Sequence, residues 1–120
     1  MKITVTITRE IDASFKEYAE DAITTDHRYI GYWGACDKDD AGNVIVYEQG
    51  GEPFRYSDPG EPPPCPVHTL DPDWIARGIK VLAEREHPYY RLHELLDGEY
   101  DQDSLDCLVQ AAALGEIRYG

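Results

Sequence analysis

A chain of 120 residues with 24 Asp and Glu against 11 Lys and Arg carries a net charge of −13, which repels phosphate backbones and anionic lipid alike. Direct nucleic-acid binding and membrane-surface binding are therefore disfavoured, whereas a basic protein surface or a cation suits such a charge. With 42% hydrophobic and 11% aromatic residues, the chain has enough apolar material for one packed core, so residues 1–120 are expected to form a single domain.

The elements follow in chain order. Met1–Arg9 alternates apolar and polar residues, with Ile3, Val5 and Ile7 on one side and Thr4, Thr6 and Thr8 on the other, as in a half-buried strand. That alternation is not the continuous apolar stretch of an export signal, and no later run approaches a membrane span. The three cysteines, Cys36, Cys65 and Cys107, are odd in number and widely spaced, so they read as reduced thiols in a cytoplasmic protein.

Residues 12–24 switch to helical spacing, with Phe15, Ala19 and Ala22 on one stripe and Glu17, Glu20 and Asp21 facing water. Tyr29–Cys36, aromatic and punctuated by glycine, is expected as a strand. A polar turn at Asp37–Asn43 and a return strand over Val44–Tyr47 complete a hairpin. Nine Gly or Pro among the seventeen residues 50–66 then predict an extended loop, taken as 49–68.

From residue 69 the chain reads as helical. Asp71-Pro72 suits a helix start, and Ile75, Ile79 and Leu82 supply an apolar stripe. A short helix carries Leu92, Leu95 and Leu96 and stops at Gly98. A last one starts near Asp103-Ser104, carries Leu105, Leu108 and Ala112, and stops at Gly115. The expected fold is α+β: a small three-stranded antiparallel sheet in the order strand, helix, strand, strand over residues 2–48, followed by two or three helices packed on it.

The carboxy-terminal run Asp101-Gln-Asp-Ser-Leu-Asp106-Cys-Leu-Val-Gln110-Ala-Ala-Ala-Leu-Gly115-Glu-Ile-Arg-Tyr119-Gly has a particular pattern. Its Asp–Ser–Asp helix start, its Gln and its closing Gly-Glu-x-x-Tyr-Gly resemble the ending of a family of small uncharacterised proteins encoded by bacteriophages and plasmids. The Asp71–Gly78 helix and the Ile30–Trp33 segment look like parts of the same family. Leu114 stands where an aromatic is usual there and Leu105 where Ala is. The resemblance implies a mobile genetic element as the source and carries no activity with it.

Five constellations bear on chemistry. Asp37–Glu48 nearly matches a calcium loop, with Asp at positions one and three, Gly at six and Glu at twelve. Ala41 at position five offers no side-chain oxygen, and the aromatic flanks favour strands, so a plain hairpin turn is the better reading. Asp97, Glu99, Asp101, Asp103 and Asp106 form a row without Lys or Arg. One or two of these would cap a helix, and the excess suits a basic partner or a hard cation. Cys65 and His68 lack the second close pair that a zinc site needs, so no metal ligands are assigned. No phosphate loop, nucleophile elbow or His-Glu-x-x-His occurs, and no catalytic residues are assigned. Nine tyrosines offer interface anchors, of which Tyr56, Tyr89 and Tyr90 lie on or beside loops, while Trp33 and Trp74 are expected in the core.

These observations converge on a non-catalytic, acidic binding protein without a cofactor. Its partner is expected to be the basic surface of a host protein, contacted through Asp97, Glu99, Asp101, Asp103 and Asp106 with Tyr56, Tyr89 and Tyr90. Size and charge, taken with the mobile-element source that the resemblance implies, extend this by analogy to an inhibitor of a nucleic-acid-handling defence system, of the anti-CRISPR or anti-restriction kind. The alternatives are a small cation-binding module and an accessory protein of a phage or plasmid.

Overall fold

A computed structural model describes residues 3, 10–50, 65–84, 95–97 and 101–119. The order is α1 (Ala13–Thr25), β1 (Gly34–Lys38), β2 (Val44–Glu48), β3 (Val67–Leu70), α2 (Trp74–Glu84) and α3 (Gln102–Leu114). The three strands form one antiparallel sheet in the order β1-β2-β3, and the helices pack against it, an α+β arrangement. Apart from Ile3, which is 84% exposed, the strand expected at 2–9 lies outside the described residues, as does most of the helix around Leu92.

Helix α1 begins where Asp12 accepts from the Ser14 backbone N–H at 2.9 Å, satisfying one of the donors left free in a first turn. Phe15, Ala19 and Ile23 are its buried face. After the helix, Asp26 turns the chain by accepting from both the backbone and the guanidinium of Arg28. The Arg28 hydrogen bond holds the Asp26 carboxyl at a pKa of about 2.

The segment 27–33 is turn, not strand. Trp33 and Gly34 both donate their N–H to the Ile30 carbonyl, at 2.9 and 2.8 Å, which closes tight local rings instead of a sheet ladder. Burial follows the same geometry: Ile30 and Trp33, three apart, are inside, while Gly31 and Tyr32 between them are exposed. The first hairpin strand therefore starts only at Gly34.

The hairpin itself forms as the sequence implies. Asp39 accepts from the N–H groups of Ala41 and Asn43, at 3.0 and 2.8 Å, and Gly42 takes the positive φ of 85° that the turn requires. Register runs from Gly34 opposite Glu48 to Lys38 opposite Val44. The third strand, Val67–Leu70, falls partly inside the segment 49–68 expected as loop. It pairs with β2 from Val67 opposite Tyr47 to Leu70 opposite Val44, a non-local contact that the proline-rich approach conceals.

Behind the sheet, α3 is buried on nearly every side: Leu105, Leu108, Val109, Ala111 and Ala112 join Trp33, Trp74, Leu82 and Leu95 in one core. Helix α2 lies along α3 so closely that a Cβ on Gly78 would stand 2.7 Å from Leu108 Cδ1 and 3.3 Å from Ala112 Cβ. Trp74 reaches across to α1, donating its indole N–H to Glu20 at 3.0 Å. No helix among the described residues is long and apolar enough to cross a membrane.

Candidate functional site

The acidic row divides into two roles. Asp97, Asp101 and Asp103 are exposed, whereas Asp106 is 8% exposed and turned inward. Its Oδ1 accepts from the Trp33 indole at 2.8 Å and from the Gln110 amide at 3.0 Å, while Oδ2 accepts from the Tyr32 hydroxyl. Asp106, expected among the partner-binding residues, is thus bonded within the molecule to Trp33, Gln110 and Tyr32. Asp101 caps α3 reciprocally with Ser104, accepting the Ser104 N–H at 2.8 Å while its own N–H reaches the Ser104 hydroxyl at 2.8 Å. Asp103 follows in the first turn, where a carboxylate also favours the helix dipole. Gln102 donates to the Arg28 carbonyl at 2.7 Å and so fixes this end of α3 against the turn after α1. Glu99, Tyr56, Tyr89 and Tyr90 lie outside the described residues.

From Asp106 a continuous polar network runs to the end of the chain. Gln110, buried at 1% exposure, donates to the Tyr119 carbonyl at 3.0 Å. Its side-chain oxygen accepts both the Arg118 and the Tyr119 N–H at 2.8 Å. Tyr119 stacks on Trp33, with ring centroids 5.3 Å apart and planes 8° from parallel. The tail can double back because Gly115 adopts φ 74° as the left-handed residue after α3.

The network ends on Glu48. Alternation along β2 places Val44, Val46 and Glu48 on the same buried side, so a carboxylate stands at the margin of the core. Its Oε2 accepts from Arg118 at 2.5 Å and from the Tyr119 hydroxyl at 2.6 Å, and Oε1 lies 3.0 Å from His68 Nε2. Burial alone would raise its pKa, but the Tyr119, His68 and Arg118 hydrogen bonds outweigh that and hold it below the usual glutamate range. The same contacts raise the Tyr119 phenol. Tyr32 is raised too, first by burial and then by its bond to Asp106.

This arrangement binds the protein to itself: each named carboxylate oxygen of Glu48 and Asp106 already holds an internal donor. Two carboxylates of the candidate cation sites are thereby engaged. Glu48, at position twelve of the calcium-like pattern, sits at the far end of β2 from the turn, and Asp39 is occupied in shaping that turn. Among the described residues, no group of three or more His, Cys, Asp or Glu is placed to hold a metal ion. Cys36, Cys65 and Cys107 are not joined in disulfides, and burial pushes the Cys36 pKa up to about 12, with Asp37 adding to the shift.

What faces solvent is different in kind. On α1, Tyr18 is 66% exposed between Glu17 and Asp21, and Tyr32 is 51% exposed near the start of α3. Neither tyrosine belongs to the set expected from sequence. The signal for Tyr18 was present: extending the stripe Phe15, Ala19 to Ile23 instead of Ala22 swings the buried face away from it. Glu48 was also legible, since continuing the alternation of Val44 and Val46 by one step puts it inside. Compared with protein families, with curated proteins and with solved structures, the chain matches none.

Proposed function

We propose that this chain is a non-catalytic binding protein that engages the basic surface of a protein partner through exposed carboxylates and tyrosines. The supporting observation is the division of its acidic groups. Glu48 and Asp106 face inward onto internal donors, whereas Asp97, Asp101, Asp103, Glu17 and Asp21 stand at the surface of a molecule with net charge −13. A surface of one sign accelerates encounter with a partner of the other and loses that advantage as salt rises. The resemblance of the carboxy terminus to proteins of phages and plasmids favours a host target. An acidic protein of this size suits the groove of a nucleic-acid-handling defence enzyme, an inhibitor role of the anti-CRISPR or anti-restriction kind argued by analogy of charge.

The test is capture of the tagged protein from a bacterial host lysate, beside a variant with Asp97, Glu99 and Asp103 changed to Lys. Asp101 is kept because it caps α3. A nucleic-acid-handling protein retained at about 0.1 M salt, released at about 0.5 M and lost by the variant supports the reading. Retention undiminished in the triple variant sinks it.

A further inference from the structure

The sheet has two edges, and they are finished differently. Glu48 donates to the Pro66 carbonyl at 2.9 Å, which sets the phase of the ladder between β2 and β3. Val46 with His68, and Val44 with Leu70, are then the pairs that bond to each other, while Val67 and Thr69 aim their N–H and C=O groups away from β2. Both residues are exposed, Val67 at 42%, and among the described residues no partner meets those outward groups. At the opposite edge, the Asp39 N–H bonds to Asn43 at 2.9 Å and the Gln49 N–H to Trp33 at 2.8 Å, which puts Cys36 and Lys38 in the outward phase of β1. That edge is guarded: the Lys38 N–H is taken by the Asp37 carboxylate at 2.8 Å, and the Lys38 ammonium lies 3.8 Å from Glu20 on α1. No such guard stands on β3. Val67–Leu70 contains no Lys, Arg, Asp or Glu, and Pro66 is in the inward phase, where it removes no outward donor.

We propose that β3 is a dimerisation edge, pairing antiparallel with β3 of a second copy so that the two sheets join into one. The open groups set the class of occupant, because N–H and C=O groups on alternate residues of a strand are matched by an extended backbone and not by a helix. Charge then argues against a basic strand. Val67–Leu70 holds no carboxylate, Asp71 beyond it already pairs with Arg77, and Glu48 pairs with Arg118, so Lys or Arg would gain little there. A neutral, β-branched strand fits, and this chain's own edge is one. With the two-fold axis at His68, Val67 lies opposite the partner's Thr69 and Thr69 opposite the partner's Val67, each pair exchanging both hydrogen bonds. That register sets β-branched side chains against each other on the outer face of the sheet and covers Val67. A contact through one short strand is small, and each copy brings a charge of −13, so the dimer is weak and tightens as salt screens the repulsion.

Sedimentation equilibrium from about 0.01 to 1 mM protein, at about 0.05 and 0.5 M NaCl, measures the association. Amide exchange of Val67 and Thr69 gives its place, since their N–H groups are open in the monomer and bonded in the dimer. Thr69→Pro removes an outward donor and leaves the inward ladder to β2 its bonds, while Val67→Lys puts a charged guard on the same edge. Thr69→Val keeps the backbone and the branching, and Tyr18→Lys alters an exposed site on α1. Circular dichroism checks that each variant is folded, and V67K carries the test if T69P is not.

The expected result is a dimer that strengthens with salt and slows exchange of both amides as concentration rises. It should weaken about tenfold or more in T69P and V67K, with T69V and Y18K like wild type. A monomer at every concentration overturns the proposal, as does a dimer that V67K leaves intact. Slow exchange of both amides in a monomer gives the edge to another segment of the same chain and overturns it too. Salt-released capture of a basic partner does not use this edge and should survive V67K, so failure of the dimer and failure of the acidic surface are read separately.

Discussion

Gln110 does more for the structure than its neighbours in an apolar run suggest. Its one amide group accepts two backbone N–H donors of the tail, at 2.8 Å each, and donates to Asp106 and to the Tyr119 carbonyl at 3.0 Å. Removing it takes the shared acceptor from two part-buried backbone N–H groups at once, and a stranded buried group costs about 1–3 kcal/mol. Gln110→Ala is therefore expected to lower unfolding free energy by about 2–4 kcal/mol in urea denaturation, against about 0.5–1.5 kcal/mol for Gln102→Ala, which loses one exposed hydrogen bond to the Arg28 carbonyl. Glu48 gives a pH signature instead. Its folded pKa is depressed, so its contribution is fully present above the ordinary glutamate value of 4.5 and disappears as pH falls through the lower folded value. Wild type should exceed Glu48→Gln in stability at neutral pH, and the gap should close on acidification below that ordinary value. A gap that is constant with pH would mean that the packing of residue 48, and not its charge, carries the effect.

Elements with local signals were readable from sequence, and those formed by distant contacts were not. Helices α1 and α3 carry their own instructions in Asp12, in the Asp101–Ser104 box and in Gly115, each acting within a few residues. The Asp39–Asn43 turn is equally local. By contrast, Val67–Leu70 becomes a strand only because β2 lies beside it, and the prolines before it mask that pairing. Tyr29–Trp33 has strand-like composition, yet its N–H groups close on Asp26 and Ile30. Composition there outweighed a three-residue spacing of Ile30 and Trp33 that already argued for a turn. The same divide applies to the site: Asp103 at a helix start could be placed from sequence, while the contacts of Asp106 could not, because its partners Tyr32 and Trp33 lie more than seventy residues away. Gly78 tests the element scale directly. A methyl there would meet Leu108 Cδ1 at 2.7 Å and the Leu108 carbonyl oxygen at 3.0 Å, which forces α2 and α3 apart. Helix propensity favours Ala over Gly by about 1 kcal/mol, but overpacking costs about 1–3 kcal/mol. Gly78→Ala is expected to come out net destabilising, read as a lower thermal midpoint.

At the scale of the whole molecule, charge works against compactness. A net −13 on 120 residues means that folding concentrates like charges, and the unfolded chain relieves that repulsion. Individual ion pairs do little to compensate: Arg28–Asp26 and Arg118–Glu116 are exposed, and pairs of that kind contribute about 0–1 kcal/mol each. Salt screens both effects, with a Debye length of about 10 Å at 0.1 M and about 3 Å at 1 M. Since repulsion extends over the whole surface and the favourable pairs are few, screening removes more cost than benefit. The thermal midpoint is therefore expected to rise as NaCl goes from about 0.01 to 0.5 M, whereas binding to a basic partner weakens over the same range. The opposite signs matter, because one salt series then separates the two roles of the acidic surface. A midpoint that falls with salt would mean that specific pairs such as Arg118–Glu48 dominate the stability. In that case the exposed carboxylates would be held in place by cations of the same molecule, leaving less negative field to steer a partner.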